Sequence, residues 1–263
     1  MKYRLIIIGL IISTTISCQD QKASDFQAEI KQYDVSTLWT IDTFQTDFEG
    51  NISFIERQEP LGYIGNNYLR FYIHFISIIQ NPISKTEYYA YGKTKVKNNI
   101  CSFQGEINIT ESAIYAESDF PPLKEGYMRG NYQFFEDPKQ EGSGVLEGNF
   151  ETYFFINTEG EIKYNAISWI SDGYKNNQFE GVWRSYKTSN QKICNWGDYR
   201  IPNSQELDAG CGEFSPINKN PDSGWEYYNL ARGYPPDSKE VQEARIKENE
   251  KWWIEDNCQA RTR

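Results

Sequence analysis

VLEGNFETYFFI, residues Val145 to Ile156, sorts its side chains onto two faces when its backbone is extended. Leu146, Gly148, Phe150, Thr152, Phe154 and Ile156 share one face at period two, with Thr152 its only polar member. Glu147, Asn149 and Glu151 lie on the other, which turns aromatic at Tyr153 and Phe155. The glycine is the unusual member, because a strand interior normally avoids it. The same arrangement recurs in Phe103-Gln104-Gly105-Glu106-Ile107, Met128-Arg129-Gly130-Asn131-Tyr132 and Phe179-Glu180-Gly181-Val182-Trp183. Glycine between two bulky residues on one strand face marks a bend or a close backbone approach, with neighbouring aromatics covering the gap. Four copies predict an all-β fold with minor α content: a strongly curved antiparallel meander closing as a barrel, with a β-sandwich as the alternative. The motif glycines are 25, 18 and 33 residues apart, so no fixed repeat generates them.

Working outward, Tyr68–Ile79 is the clearest further strand, with Leu69, Phe71, Ile73 and Phe75 on an apolar face and Tyr68, Arg70, Tyr72 and His74 on a mixed one. Strands are expected at 37–44, 52–57, 87–97, 100–109, 127–135, 162–171 and 178–186. Asn98-Asn99, Asp137-Pro138, Asn157-Thr158-Glu159-Gly160 and Asp172-Gly173 supply turn chemistry between them. Residues 192–236, rich in Asn, Pro, Gly and acids, are expected to form a long loop packed on the barrel. Asp237 and Glu240 have capping-box spacing, so a helix is expected over 238–256, docking through Val241, Ala244, Trp252 and Trp253.

The N-terminus reads as an address. Lys2 and Arg4 precede an apolar run from Leu5 to Ile12, too short to span a membrane, and small residues lead to Cys18. Thr15-Ile16-Ser17-Cys18 resembles the lipobox of bacterial lipoproteins, and the richness in Asn, Lys, Ile and Tyr resembles chains from Bacteroidota. The resemblance implies that residues 1–17 are a signal peptide and that Cys18 carries the lipid. It also implies a protein anchored in the cell envelope, at the outer membrane. The polar stretch that follows suits a tether, assigned to 18–35. The barrel-like domain is then 36–191, the loop 192–236, and the C-terminal helix and tail 237–263.

Without residues 1–17 the chain has 25 basic and 37 acidic residues, a net charge of −12. Such a chain repels nucleic acid, which is therefore not an expected partner.

With Cys18 assigned to lipid, Cys101, Cys194, Cys211 and Cys258 remain, and an oxidising compartment favours disulfides. Cys194–Cys211 is the candidate pair, closing a loop with almost no apolar core of its own. No CxxC occurs, so a metal site has no support. His74 is the only histidine, and no GxSxG elbow accompanies it, so it reads as a hydrogen-bonded structural residue and no catalytic residue is assigned. Carboxylates could serve a glycosidase, with Asp198, Glu206, Asp208 and Glu213 sharing the loop with Trp196, Tyr199 and Trp225. Gly181-Val182-Trp183-Arg184 resembles the GxW element of lipocalins, although it comes late in the strand series; the resemblance implies a lipocalin-like barrel more than any ligand.

These features predict a lipid-anchored envelope binding protein rather than an enzyme, with no cofactor. The membrane is reached through the N-terminal lipid, and a small molecule or an envelope protein is the expected partner. Trp183, Trp196, Tyr199 and Trp225 are the candidate binding residues. A glycan hydrolase using paired carboxylates, and a structural subunit of an envelope complex, are the alternatives.

Overall fold

The structure is a computed structural model describing residues 22–48, 51–217 and 221–254. The lipobox and Cys258 lie outside the described residues. The strands are β1 Ala23–Asp25, β2 Thr43–Phe48, β3 Asn51–Glu56, β4 Leu61–Ile64, β5 Leu69–Gln80, β6 Glu87–Val96, β7 Asn99–Tyr115, β8 Lys124–Glu136, β9 Gly144–Ile156, β10 Ile162–Tyr164, β11 Asn176–Ser185 and β12 Gln191–Asp198. The α-helices are α1 Thr37–Thr40, α2 Glu226–Ala231 and α3 Lys239–Glu248.

Every strand pairing is antiparallel, and eight strands close a ring in the order β4-β5-β6-β7-β8-β9-β11-β12, with β12 returning to β4. The ring is not a uniform cylinder. β9 passes from β11 to β10 near its end, β7 outruns β6 and pairs there with β1, and β5, β7 and β11 each contain a register shift. The β2–β3 hairpin forms a separate two-stranded sheet.

Alternation along the long strands turns aromatic side chains into the ring, and these fill it. Phe71, Phe103, Phe134, Phe150, Phe154, Phe179 and Trp196 belong to one buried cluster. Phe179 stacks on Trp196 with centroids 4.9 Å apart, and Trp39 of α1 meets Tyr88 and Phe150 edge-on. The interior is therefore a packed core, and a ligand has to be sought outside it. Thr152, the polar exception on the inward face of β9, has its own partners: its hydroxyl accepts from Trp39 Nε1 at 3.0 Å and donates to Asn177 Oδ1 at 2.9 Å.

Several expectations are corrected. Residues 22–35 are not tether: Ala23–Asp25 pair with Tyr115–Ala113, and Ile30 and Val35 join the core. The strand expected at 37–44 is the short helix α1 followed by β2, which lets Trp39 point into the ring. The 162–171 strand is only β10. Residues 192–198, taken for the start of the loop, belong to the strand β12 that closes the ring. Its polarity misleads because its outer face is covered: Asn195 is buried, its Oδ1 accepting from Gly181 N and its Nδ2 donating to Pro202 O.

A second cluster covers that outer face. Leu61, Tyr63, Ile201, Leu207, Phe214, Trp225 and Tyr228 bury one another between β4 and the segment 199–231. Helix α3 is capped by Ser238, whose hydroxyl accepts from Val241 N, and not by Asp237. It ends at Glu248, short of the expected Asp256.

Candidate binding cleft

While Phe71, Ile73 and Phe75 point inward from β5, Arg70, Tyr72, His74 and Ile76 form its outer row. Helices α2 and α3 flank this row, joined where Arg245 Nε donates to Ala231 O at 3.0 Å. Past α3 the chain returns across β5. Trp252 meets Tyr72 edge-on at 6.1 Å, and Trp253 lies parallel to the His74 ring at 3.8 Å. The β3 end and residues 57–60 form the facing wall. The enclosed cleft has a volume of about 930 Å³, within the range of ligand sites.

The floor of the cleft is built around Arg70. Arg70 is buried, pairs with Glu248 at 2.9 Å, and sets its guanidinium over Trp225 at 4.4 Å, Tyr72 at 4.6 Å and Tyr228 at 5.0 Å. Three ring faces thus surround a cation whose Nε and Nη1 have no hydrogen-bond acceptor among the described residues. Burial raises the Tyr72 hydroxyl, with Arg70 opposing the shift, and burial likewise raises Tyr228. On the facing wall, burial opposes the charge of Arg57, but the carboxylate of Asp198 holds its net pKa up. The two form a bidentate pair at 2.9 and 3.1 Å. Burial in turn pushes Asp198 up, opposed by Arg57, Tyr164 and Asn177.

The rim is charged and open. Arg232 lies over Tyr228 at 3.6 Å, and the exposed residues Arg232, Glu213 and Lys251 border the opening. His74 Nδ1 lies 3.0 Å from Glu59 Oε2, both lining the cleft. This hydrogen bond fits the structural role expected of His74, although its place in the cleft was not foreseen. Among the described residues, no group of three His, Cys, Asp or Glu could hold a metal ion.

The candidate binding residues are not brought together. Trp196 is in the ring interior, Trp225 is in the second cluster, and Trp183 donates from Nε1 to Glu136 Oε2 at 2.9 Å. Tyr199 packs edge-on against Tyr174 at 5.0 Å. Of these four, only Trp225 touches the cleft region, through Arg70. The loop carboxylates also separate. Asp198 is fully buried on Arg57, Asp208 pairs with Arg200 at 2.7 Å, and only Glu213 of the four borders the cleft.

The expected disulfide is absent. Cys194 is buried in the ring core and Cys211 is exposed, and each is free among the described residues.

What sequence reasoning missed is Glu59, Arg232 and the placement of Trp252 and Trp253. The one available signal was the mixed face of β5, whose Arg70, Tyr72 and His74 alternate with core residues. Compared with protein-family models, curated proteins and solved structures, the chain matches none of them. No function is therefore carried over by likeness, and the chemistry of the cleft is what can be argued from.

Proposed function

We propose that the protein is a lipid-anchored binding protein of the cell envelope, tethered at the outer membrane through Cys18, that holds a polar ligand or envelope partner in the cleft over β5. The observation that carries this is the cleft itself, about 930 Å³ of space outside a ring whose interior is already filled by side chains. Its lining combines flat rings from Tyr72, Trp252 and Trp253 with both signs of charge from Arg232, Glu213 and Lys251. Such a lining suits a ligand with apolar faces and several hydrogen-bonding groups, and is poorly matched to a purely apolar one. The net charge of −12 weighs against nucleic acid.

A glycan hydrolase acting through two carboxylates is the second reading. It is favoured by Glu59, Glu213 and Glu250 lining one cleft, rather than by the loop cluster from which sequence suggested it.

The test is native mass spectrometry of gently purified, lipidated protein beside the Arg232→Ala, Glu213→Gln double variant. Both positions are exposed, so the variant should fold, with at most ~1 kcal/mol lost where Arg232 leaves the Tyr228 ring. A small molecule or protein that travels with the native chain and is lost from the variant is expected. Equal retention by both would remove the cleft as the seat. Release of a shortened glycan on incubation would move the hydrolase reading to first place.

A further inference from the structure

We propose that the end of the ring where the chain enters lies against the bilayer, with Phe120 and Ile170 as its apolar contacts; this rests on lipidation of Cys18. Lys22 O accepts from Ala116 N at 2.7 Å, and Ala23 pairs with Tyr115, so the chain enters beside the start of the loop 116–123. Lys22 is four positions along the chain from Cys18, a span of at most about 14 Å. A lipid on Cys18 therefore holds this loop close to the membrane surface.

The loop presents apolar surface at that place. Phe120, Pro121 and Pro122 are exposed in succession, Phe120 by 43%. Glu125 accepts from Ser118 Oγ at 2.9 Å and from Asn165 Nδ2 at 3.0 Å, which ties this loop to the segment carrying Ile170. Ile170 is 66% exposed. Exposed apolar side chains held this close to a lipid anchor can insert at the bilayer interface.

The charges of the same rim nearly balance. Lys22, Lys124, Lys163 and Lys175 stand with Glu117, Asp119, Glu159, Glu161 and Asp172, a slight acidic excess, so the fit is to a neutral lipid surface through apolar contact rather than to an anionic one through basic residues. The opposite end of the ring also exposes apolar side chains, Phe135, Tyr186 and Ile100, so the two ends differ in their distance from Cys18 and not in polarity. The loop 137–143 lies the length of β8 away, roughly 40 Å, and carries Asp137, Lys139 and Glu141.

The experiment places an environment-sensitive fluorophore at F120C, I170C or K139C, each in the lipidated protein with Cys211→Ser and Cys258→Ser. Each labelled protein is bound to phosphatidylcholine vesicles. The expected result is a blue shift at 120 or 170, with quenching by brominated acyl chains, no dependence on salt, and no shift at 139. A shift at 139, or no shift at any position while the protein floats with the vesicles, overturns the orientation. An unmodified mass at Cys18 with no flotation overturns the anchor, and this proposal with it; the mass and the flotation separate that failure from a wrong orientation.

Discussion

Gly148 of β9 and Gly181 of β11 lie directly opposite each other in the ladder, and neither has room for a side chain. A Cβ on Gly148 would stand 2.0 Å from Glu180 O and 2.6 Å from the Gly181 Cα; one on Gly181 would stand 2.2 Å from Glu147 O and 2.5 Å from the Tyr132 hydroxyl. Gly105 and Gly130 meet backbone oxygens of adjacent strands in the same way, at 2.0 and 1.8 Å. The motif glycines are points of close approach in a curled sheet. Where an aromatic covers one, it comes from another strand: Phe150 of the adjacent β9 beside Gly130, and Tyr132 of β8, two strands over, beside Gly181.

Valine at Gly105, Gly130, Gly148 or Gly181 should therefore cost the upper part of the ~1–3 kcal/mol of ordinary overpacking, or more, because the obstacle is backbone and cannot turn aside. Valine at the exposed Asn149 is the control. Gly160 has φ +81° with nothing within 4 Å of an added Cβ, so valine there should cost only the ~1–2 kcal/mol of a left-handed backbone. Melting curves of the six variants decide this. If the four motif variants melt no lower than Asn149→Val, close approach is not what these glycines serve.

Glu136 is buried where Thr94 Oγ1, Trp183 Nε1 and Gly144 N donate to it. Burial pushes its pKa above the usual carboxylate value, against the lowering effect of those donors. With the folded pKa raised, the native state holds a proton between the unfolded and folded values that the unfolded chain releases. Stability from this group is gained as pH falls through the folded pKa and lost as pH rises again. Denaturant melts of native protein and Glu136→Gln at pH 7 and 5 should show the difference moving in favour of the native protein at the lower pH. Movement in the other direction would mean that the three donors outweigh burial.

The His74 ring supports the C-terminal segment, so His74→Gln should quicken amide exchange at Trp252 and Trp253. It should lower stability by about 1 kcal/mol through the lost ring contact and disturbed hydrogen bond. Binding in the cleft should weaken without being lost, since the Trp253 ring loses its support while Arg232 and Glu213 are untouched. Loss of function with unchanged melting would instead make His74 catalytic.

Thiol labelling should distinguish the cysteines. Burial, reinforced by Glu136, pushes Cys101 up to about 11, and burial raises Cys194 as well, so neither should react in the folded protein. Cys211, exposed, should label at once. Peptide mapping that recovers Cys194 linked to Cys211 would overturn the arrangement.

Much of the β architecture was legible because alternation along a strand is a local property. Leu146, Phe150, Phe154 and Phe71 declare an inward face whatever surrounds them, and a glycine among them marks a place where a neighbour must come close. Cover is not local. β12 and β4 were missed because the second cluster around Trp225 and Tyr228 buries their outer faces and removes the alternation.

Sequence alone determined the β-rich class, the inward faces, the glycine positions, the single histidine and the acidic charge, since each follows from residue types and their spacing. Only the tertiary structure decided that β12 closes the ring, that Cys194 and Cys211 stand apart, and that Trp196 and Trp225 occupy different cores. It alone brought Glu59, Tyr72, His74, Arg232 and Trp252 to one cleft. These residues come from distant parts of the chain, and their meeting depends on which strands pair and what packs over them, which no local pattern encodes.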